Sequence, residues 1–60
     1  MNNNKRLEIL FSLGLKFNGS EFFKDDINVH WTESATMDNN TFRRMVIQIK
    51  KELLRRKTIS

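Results

Sequence analysis

The sequence predicts an all-α fold of three helices, over about residues 4–14, 21–31 and 40–56. Two observations carry this reading. Apolar residues in the first and last segments recur with a period near 3.6, as they do along one face of a helix. Proline is absent, and the two glycines, Gly14 and Gly19, both precede the second segment. Sixty residues make one domain, residues 1–60. A chain this short buries only about 60% of its unfolded surface, so its core is small.

In the first helix Leu7, Leu10, Phe11 and Gly14 fall at spacings of three, one and three. Ile9 and Leu13 add a second apolar strip, which leaves Lys5, Glu8 and Ser12 as the polar edge. A helix this apolar is expected to pack on two sides. Asn3 or Asn4 is the expected N-cap. Asn18-Gly19 then signals a turn. In this stretch, Leu15 to Ser20, Ser20 suits the cap of a short helix, or Leu15 and Phe17 suit a scrap of strand.

The segment Glu21 to Trp31 supports two periods. Phe23, Ile27 and Trp31 are four apart, which suits a helix. Ile27, Val29 and Trp31 alternate, which suits a strand. Asp25-Asp26 fits a helix N-terminus, where negative charge meets the positive end of the dipole. The helix over 21–31 is the preferred reading. Thr32 to Asn40 forms a polar connection with Ala35 and Met37 as apolar plugs.

The last helix has the clearest pattern. Phe42, Val46, Ile49 and Leu53 are spaced four, three and four, with Met45 beside them. Asp38, Asn39 or Asn40 caps its start. It also carries the charge asymmetry of the chain. Residues 1–38 hold four bases and six acids, whereas residues 39–60 hold seven bases and one acid, Glu52. A cationic helix on a near-neutral support suits a polyanion, and nucleic acid is the default.

At 100° per residue, Arg44, Gln48, Lys51 and Arg55 line up nearly opposite the apolar stripe. Arginine bonds guanine in a bidentate way, and glutamine does the same to adenine. Lys50, Arg55, Arg56 and Lys57 are the candidate phosphate contacts. Ile47 and Leu54 lie seven apart on one line, off the apolar stripe. Either the first helix covers them, or they meet a partner, such as a second copy of the chain.

Other chemistry finds little support. There is no cysteine, which excludes disulfides, thiolate zinc sites and a cysteine nucleophile. His30, the one histidine, lies near Asp25, Asp26 and Glu33 in sequence, but nothing completes a metal-ligand set. No nucleophile motif or Gly-rich phosphate loop is present, so neither an enzyme nor a cofactor is expected. Phe17, Phe22, Phe23, Trp31 and Phe42 read as core, because the bases do not interleave with them. No apolar run reaches the roughly 18–20 residues of a membrane span. The N-terminus lacks the pattern of a secretion signal. A cytoplasmic setting without membrane association is the expectation.

Three segments carry a family resemblance: Lys24-Asp25-Asp26-Ile27-Asn28-Val29-His30-Trp31, then Asp38-Asn39-Asn40-Thr41, then Ile49-Lys50-Lys51-Glu52-Leu53. The order resembles the helix-turn-helix core of winged-helix regulators, especially the DNA-binding domain of response regulators. There an acidic helix ending in tryptophan precedes a polar turn and a capped, basic recognition helix. The resemblance spans residues 17–55. The four residues after Arg56 leave the family's β-hairpin wing without a counterpart. It implies a helix-turn-helix domain whose Thr41, Arg44, Gln48 and Lys51 face the major groove of double-stranded DNA. The resulting expectation is a small sequence-specific DNA-binding regulator, of the sort phages or plasmids encode, acting as a homodimer. The rival expectation is a phage-type effector that docks on a host protein through Ile47 and Leu54 of its last helix.

Overall fold

The computed structural model describes residues 2–59, with side chains over residues 2–57. The described elements are α1 (Asn3–Ser12), β1 (Lys16–Phe17), β2 (Glu21–Lys24), β3 (Ile27–His30), α2 (Trp31–Thr36) and α3 (Asn39–Ile59). The strands form one antiparallel sheet in the order β1-β2-β3. The fold is therefore mixed α and β, and the all-α expectation is corrected.

The correction lies between residues 16 and 36. The segment 21–31, expected as a helix, is a hairpin. Phe22 pairs with Val29 and Lys24 with Ile27 across β2 and β3. Side chains alternate across a strand, so Phe22 and Val29 share one face. Phe22 is fully buried and Val29 nearly so. The register thus puts an aromatic and a β-branched residue opposite each other in the core, a favourable cross-strand pair. Asp25-Asp26 is the two-residue hairpin turn and does not start a helix. Asp25 takes a φ of 54°, the left-handed value such turns require at their first central residue.

The polar connection expected over 32–40 contains α2. Its six residues offer only Trp31 and Ala35 as an apolar pair at helical spacing, and tertiary contacts fix it. Trp31 N–H donates to Ser20 O at 3.0 Å, and the indole meets the Phe22 ring edge-on with centroids 6.0 Å apart. Ser34 is fully buried and its hydroxyl donates to His30 O.

The expected turn at Asn18-Gly19 joins β1 to β2. Asn18 Oδ1 accepts from the backbone N–H groups of Ser20 at 3.0 Å and Glu21 at 2.8 Å. Gly19 sits at a φ of 102°, where a side chain would be strained. Of the two alternatives for this stretch, the strand is the one that forms, ahead of the turn at Lys16–Phe17.

The outer helices form near their expected bounds. Asn2, one residue before the expected caps, accepts from Lys5 N–H at 2.8 Å at the start of α1. Asp38 caps α3, its carboxylate accepting from Thr41 N–H at 2.7 Å. Leu10 from α1, Leu15, Phe22 and Val29 from the middle of the chain, and Phe42, Val46 and Ile49 from α3 form one buried cluster. Burial of a large side chain is worth about 1.5–3 kcal/mol, so these seven residues supply the main driving force.

One charged residue joins this core. Arg6 is 4% exposed and lies one turn before Leu10 on the same face of α1. Its guanidinium donates to Ser34 O at 2.5 Å and to Asn39 Oδ1 at 3.2 Å. It also lies 4.9 Å from the centre of the Phe42 ring, within cation–π range. Arg6 therefore ties α1 to both helices that meet at Asp38.

Candidate nucleic-acid interface

α3 has 21 residues, about 31 Å of helix, close to the 34 Å long axis of the molecule. Its inner side is fixed by Phe42, Val46 and Ile49. The helical period then decides where every other side chain points. Arg44, Gln48, Lys51 and Arg55 fall on the side away from the core, and all four are exposed. Thr41, also exposed, lies at the N-terminal end of the same side.

The remaining expected contacts are distributed differently. Lys50 and Lys57 lie roughly 130–150° around the helix from that line, on the flank that faces α1. Arg56 turns toward the sheet. Its Nη2 lies 2.6 Å from Asp26 Oδ1, and its Nε lies 3.2 Å from Glu52 Oε1. Hydrogen bonding to Asp26 raises the Arg56 pKa further, and the same bond holds the Asp26 carboxyl below its ordinary value. Arg56 thus spends its charge within the fold. The eight expected residues do not make one surface. Five form an outer face, two a flank, and one an internal tie.

Within the outer face, Glu52 Oε1 also accepts from Arg55 Nη2 at 2.5 Å. Hydrogen bonding from Arg55 first, then Arg56, keeps the Glu52 carboxyl ionised below its usual range. Among the described residues no carboxylate forms an ion pair with Arg43, Lys50 or Lys51. At the N-terminal end, hydrogen bonding from Thr41 lowers the pKa of Asp38. A firmly ionised cap there complements the helix dipole, and the bases complement it at the other end.

No protein-family model, characterised protein or solved structure matches this chain. The functional reading therefore rests on this geometry.

Ile47 and Leu54 are 50% and 63% exposed, so α1 does not cover them. They stand between the outer face and the Lys50–Lys57 flank. The segment quoted for the helix-turn-helix resemblance, Lys24 to Trp31, is strand and turn up to His30, and Trp31 opens α2. His30 lies across the hairpin from Glu21, with Nδ1 3.3 Å from Oε1. Among the described residues no three His, Asp or Glu side chains cluster as a metal site requires. Among them, too, no helix is long and apolar enough to cross a membrane.

Sequence reasoning missed two features that set the interface. Arg6, which positions the start of α3, was legible only as a charge. Its signal was its spacing of four from Leu10, an apolar position. The Asp26–Arg56 tie joins residues 30 apart, and no local pattern reveals it.

Proposed function

We propose that this chain binds double-stranded DNA through the outer face of α3, as a small sequence-reading regulator. The observation that carries the reading is the row Arg44, Gln48, Lys51 and Arg55, exposed along one side of a helix whose other side is locked into the core. A B-DNA major groove is about 12 Å wide and admits one helix. Residues 44 to 55 rise about 16 Å, enough to follow the groove across several base pairs. Lys51 and Arg55 neutralise phosphates, and Arg44 and Gln48 address base edges. Thr41 near the helix start adds a neutral hydroxyl at the groove wall.

Because α3 is held by Arg6, Phe42 and the Asp26–Arg56 tie, it enters the groove as a preformed rod. Little order has to be gained on binding, which favours affinity. Fluorescence anisotropy with a random-sequence duplex pool, followed by selection of the bound fraction, tests the reading. The expected result is measurable duplex binding at about 50 mM salt and enrichment of a motif. Gln48→Ala should flatten the preference at one position while leaving the salt dependence intact, since glutamine carries no charge. Binding with no enrichment would leave a nonspecific cation and overturn the sequence-reading part. No binding would overturn the proposal.

A further inference from the structure

Beside the outer face runs a groove between α1 and α3. One half is lined by Ile9, Arg43, Ile47 and Lys50 above the buried Phe42 and Val46. The other half is lined by Leu13, Lys50, Leu54 and Lys57, with Ser12 and Leu53. Lys50 belongs to both halves, which follow one another along α3. Its floor and walls are apolar, and every charged side chain on its rim is a base.

We infer that this groove receives an acidic amphipathic helix of a partner protein. Charge complementarity selects this occupant. Arg43, Lys50 and Lys57 face it from α3, and no carboxylate lines either half among the described residues. Of the nearby acids, Glu8 lies 3.8 Å from Lys5 and Glu52 is bonded to Arg55 and Arg56, while Asp25 lines the adjoining hollow beyond Lys57. Ile47 and Leu54 are seven residues apart, two helical turns, and both are at least half exposed. An incoming helix meets such a ridge with apolar residues at spacings of three and four. Flanking Asp or Glu then fall against the basic rim.

A second copy of this chain fits less well. A two-fold contact places the same patch on both sides. It would set Arg43 and Lys50 against their own equivalents, and no carboxylate lines either half among the described residues. DNA gains nothing from the apolar floor, since phosphates bond only the rim. The groove thus separates a protein-docking flank from the DNA-facing row on one helix. This inference does not rest on the DNA reading, and the two can fail independently.

The test uses the full chain and a synthetic peptide of about 14 residues, helical, with Leu at spacings of three and four and Glu on either side. Amide chemical shifts are followed in ¹⁵N-labelled protein, with sedimentation of the free chain in parallel. The expected result is a saturable shift confined to residues around Ile9, Leu13, Ile47, Lys50 and Leu54. Ile47→Ser with Leu54→Ser should weaken binding by at least about tenfold and leave duplex binding unchanged. Replacing Glu by Gln in the peptide should weaken it to a similar degree. Absence of a shift at millimolar peptide overturns the inference. So does equal binding of the Gln peptide, which would make the groove merely greasy. A free chain that dimerises and becomes monomeric with Ile47→Ser would overturn it in favour of a second copy.

Discussion

Arg56 Nη2 lies 2.6 Å from Asp26 Oδ1, joining the last turns of α3 to the turn between β2 and β3. The contact links residues that the chain places 30 apart, and it explains why one of the bases expected to hold phosphate faces inward. It also makes stability depend on pH. Asp26, Asp38 and Glu52 all have folded pKa values below their ordinary ones. Each therefore favours the fold while ionised. That contribution is fully present above the unfolded carboxylate pKa, about 4, and is lost as pH falls through the lowered folded values. Thermal melts should show a stability plateau near neutral pH and a decline below about pH 4. Asp26→Asn should lower the plateau and make the decline shallower. An unchanged acid profile in that variant would mean that the Asp26–Arg56 pair does not form in solution.

Arg6 is expected to be the most sensitive charged position. Arg6→Ala removes two hydrogen bonds and leaves the buried Ser34 carbonyl without its donor. Loss of a bond to a charged group, together with an unsatisfied buried acceptor, costs about 2–4 kcal/mol. Arg6→Lys should rescue little of this, because an ammonium cannot span Ser34 and Asn39 as a planar fork does. Chemical denaturation of the two variants measures it. A cost below about 0.5 kcal/mol for Arg6→Ala would place Arg6 at the surface.

The hairpin makes a prediction whose sign differs from that of a helix. Asp25 has a φ of 54°, a conformation glycine adopts without strain. Asp25→Gly should raise stability by about 0.5–1 kcal/mol. In a helix over 21–31 the same change would lower it by a few tenths of a kcal/mol. A destabilised Asp25→Gly variant would restore the helical reading of this segment.

These residues also show how far the sequence alone leads. α1 and α3 were legible because their apolar periods are helical and long, and the stripe from Phe42 to Leu53 has no competing reading. The Asn18-Gly19 turn was legible from its chemistry. The hairpin was not, because Phe23, Ile27 and Trp31 satisfy a helical spacing while Ile27, Val29 and Trp31 satisfy a strand. Asp25-Asp26 reinforced the wrong choice, since an acidic pair suits both a helix start and a tight turn. What decided the matter was the pairing of Phe22 with Val29, a tertiary fact. α2 was hidden for a related reason: its order comes from Arg6, Ser34 and Trp31 and not from local pattern. In the candidate interface, helical phase alone placed Arg44, Gln48, Lys51 and Arg55 together. Phase also separates Lys50, Arg56 and Lys57 from that row, but treating every base in α3 as equivalent obscured this.

The outer row should be separable from the fold. Arg44→Ala with Lys51→Ala removes two exposed cations, and exposed substitutions shift stability by about 0.5 kcal/mol or less. The denaturation midpoint should therefore stay close to that of the parent chain. A large loss of stability would mean that the row has a structural role and would weaken any binding result drawn from it.

The salt dependence of duplex binding tests the central claim most directly. Affinity for a duplex should fall linearly on a log–log plot against salt between about 50 and 200 mM, as counterions return to the phosphates. Each phosphate contact contributes about −0.9 to the slope, so in Arg44→Ala with Lys51→Ala the loss of Lys51 should reduce its magnitude by about 0.9, while the loss of Arg44 from a base edge lowers affinity for the preferred site. That reduction, with the fold intact, is the predicted result. A parent chain with no duplex affinity at about 50 mM salt, or a double variant whose slope equals that of the parent, would contradict DNA binding through the outer face of α3.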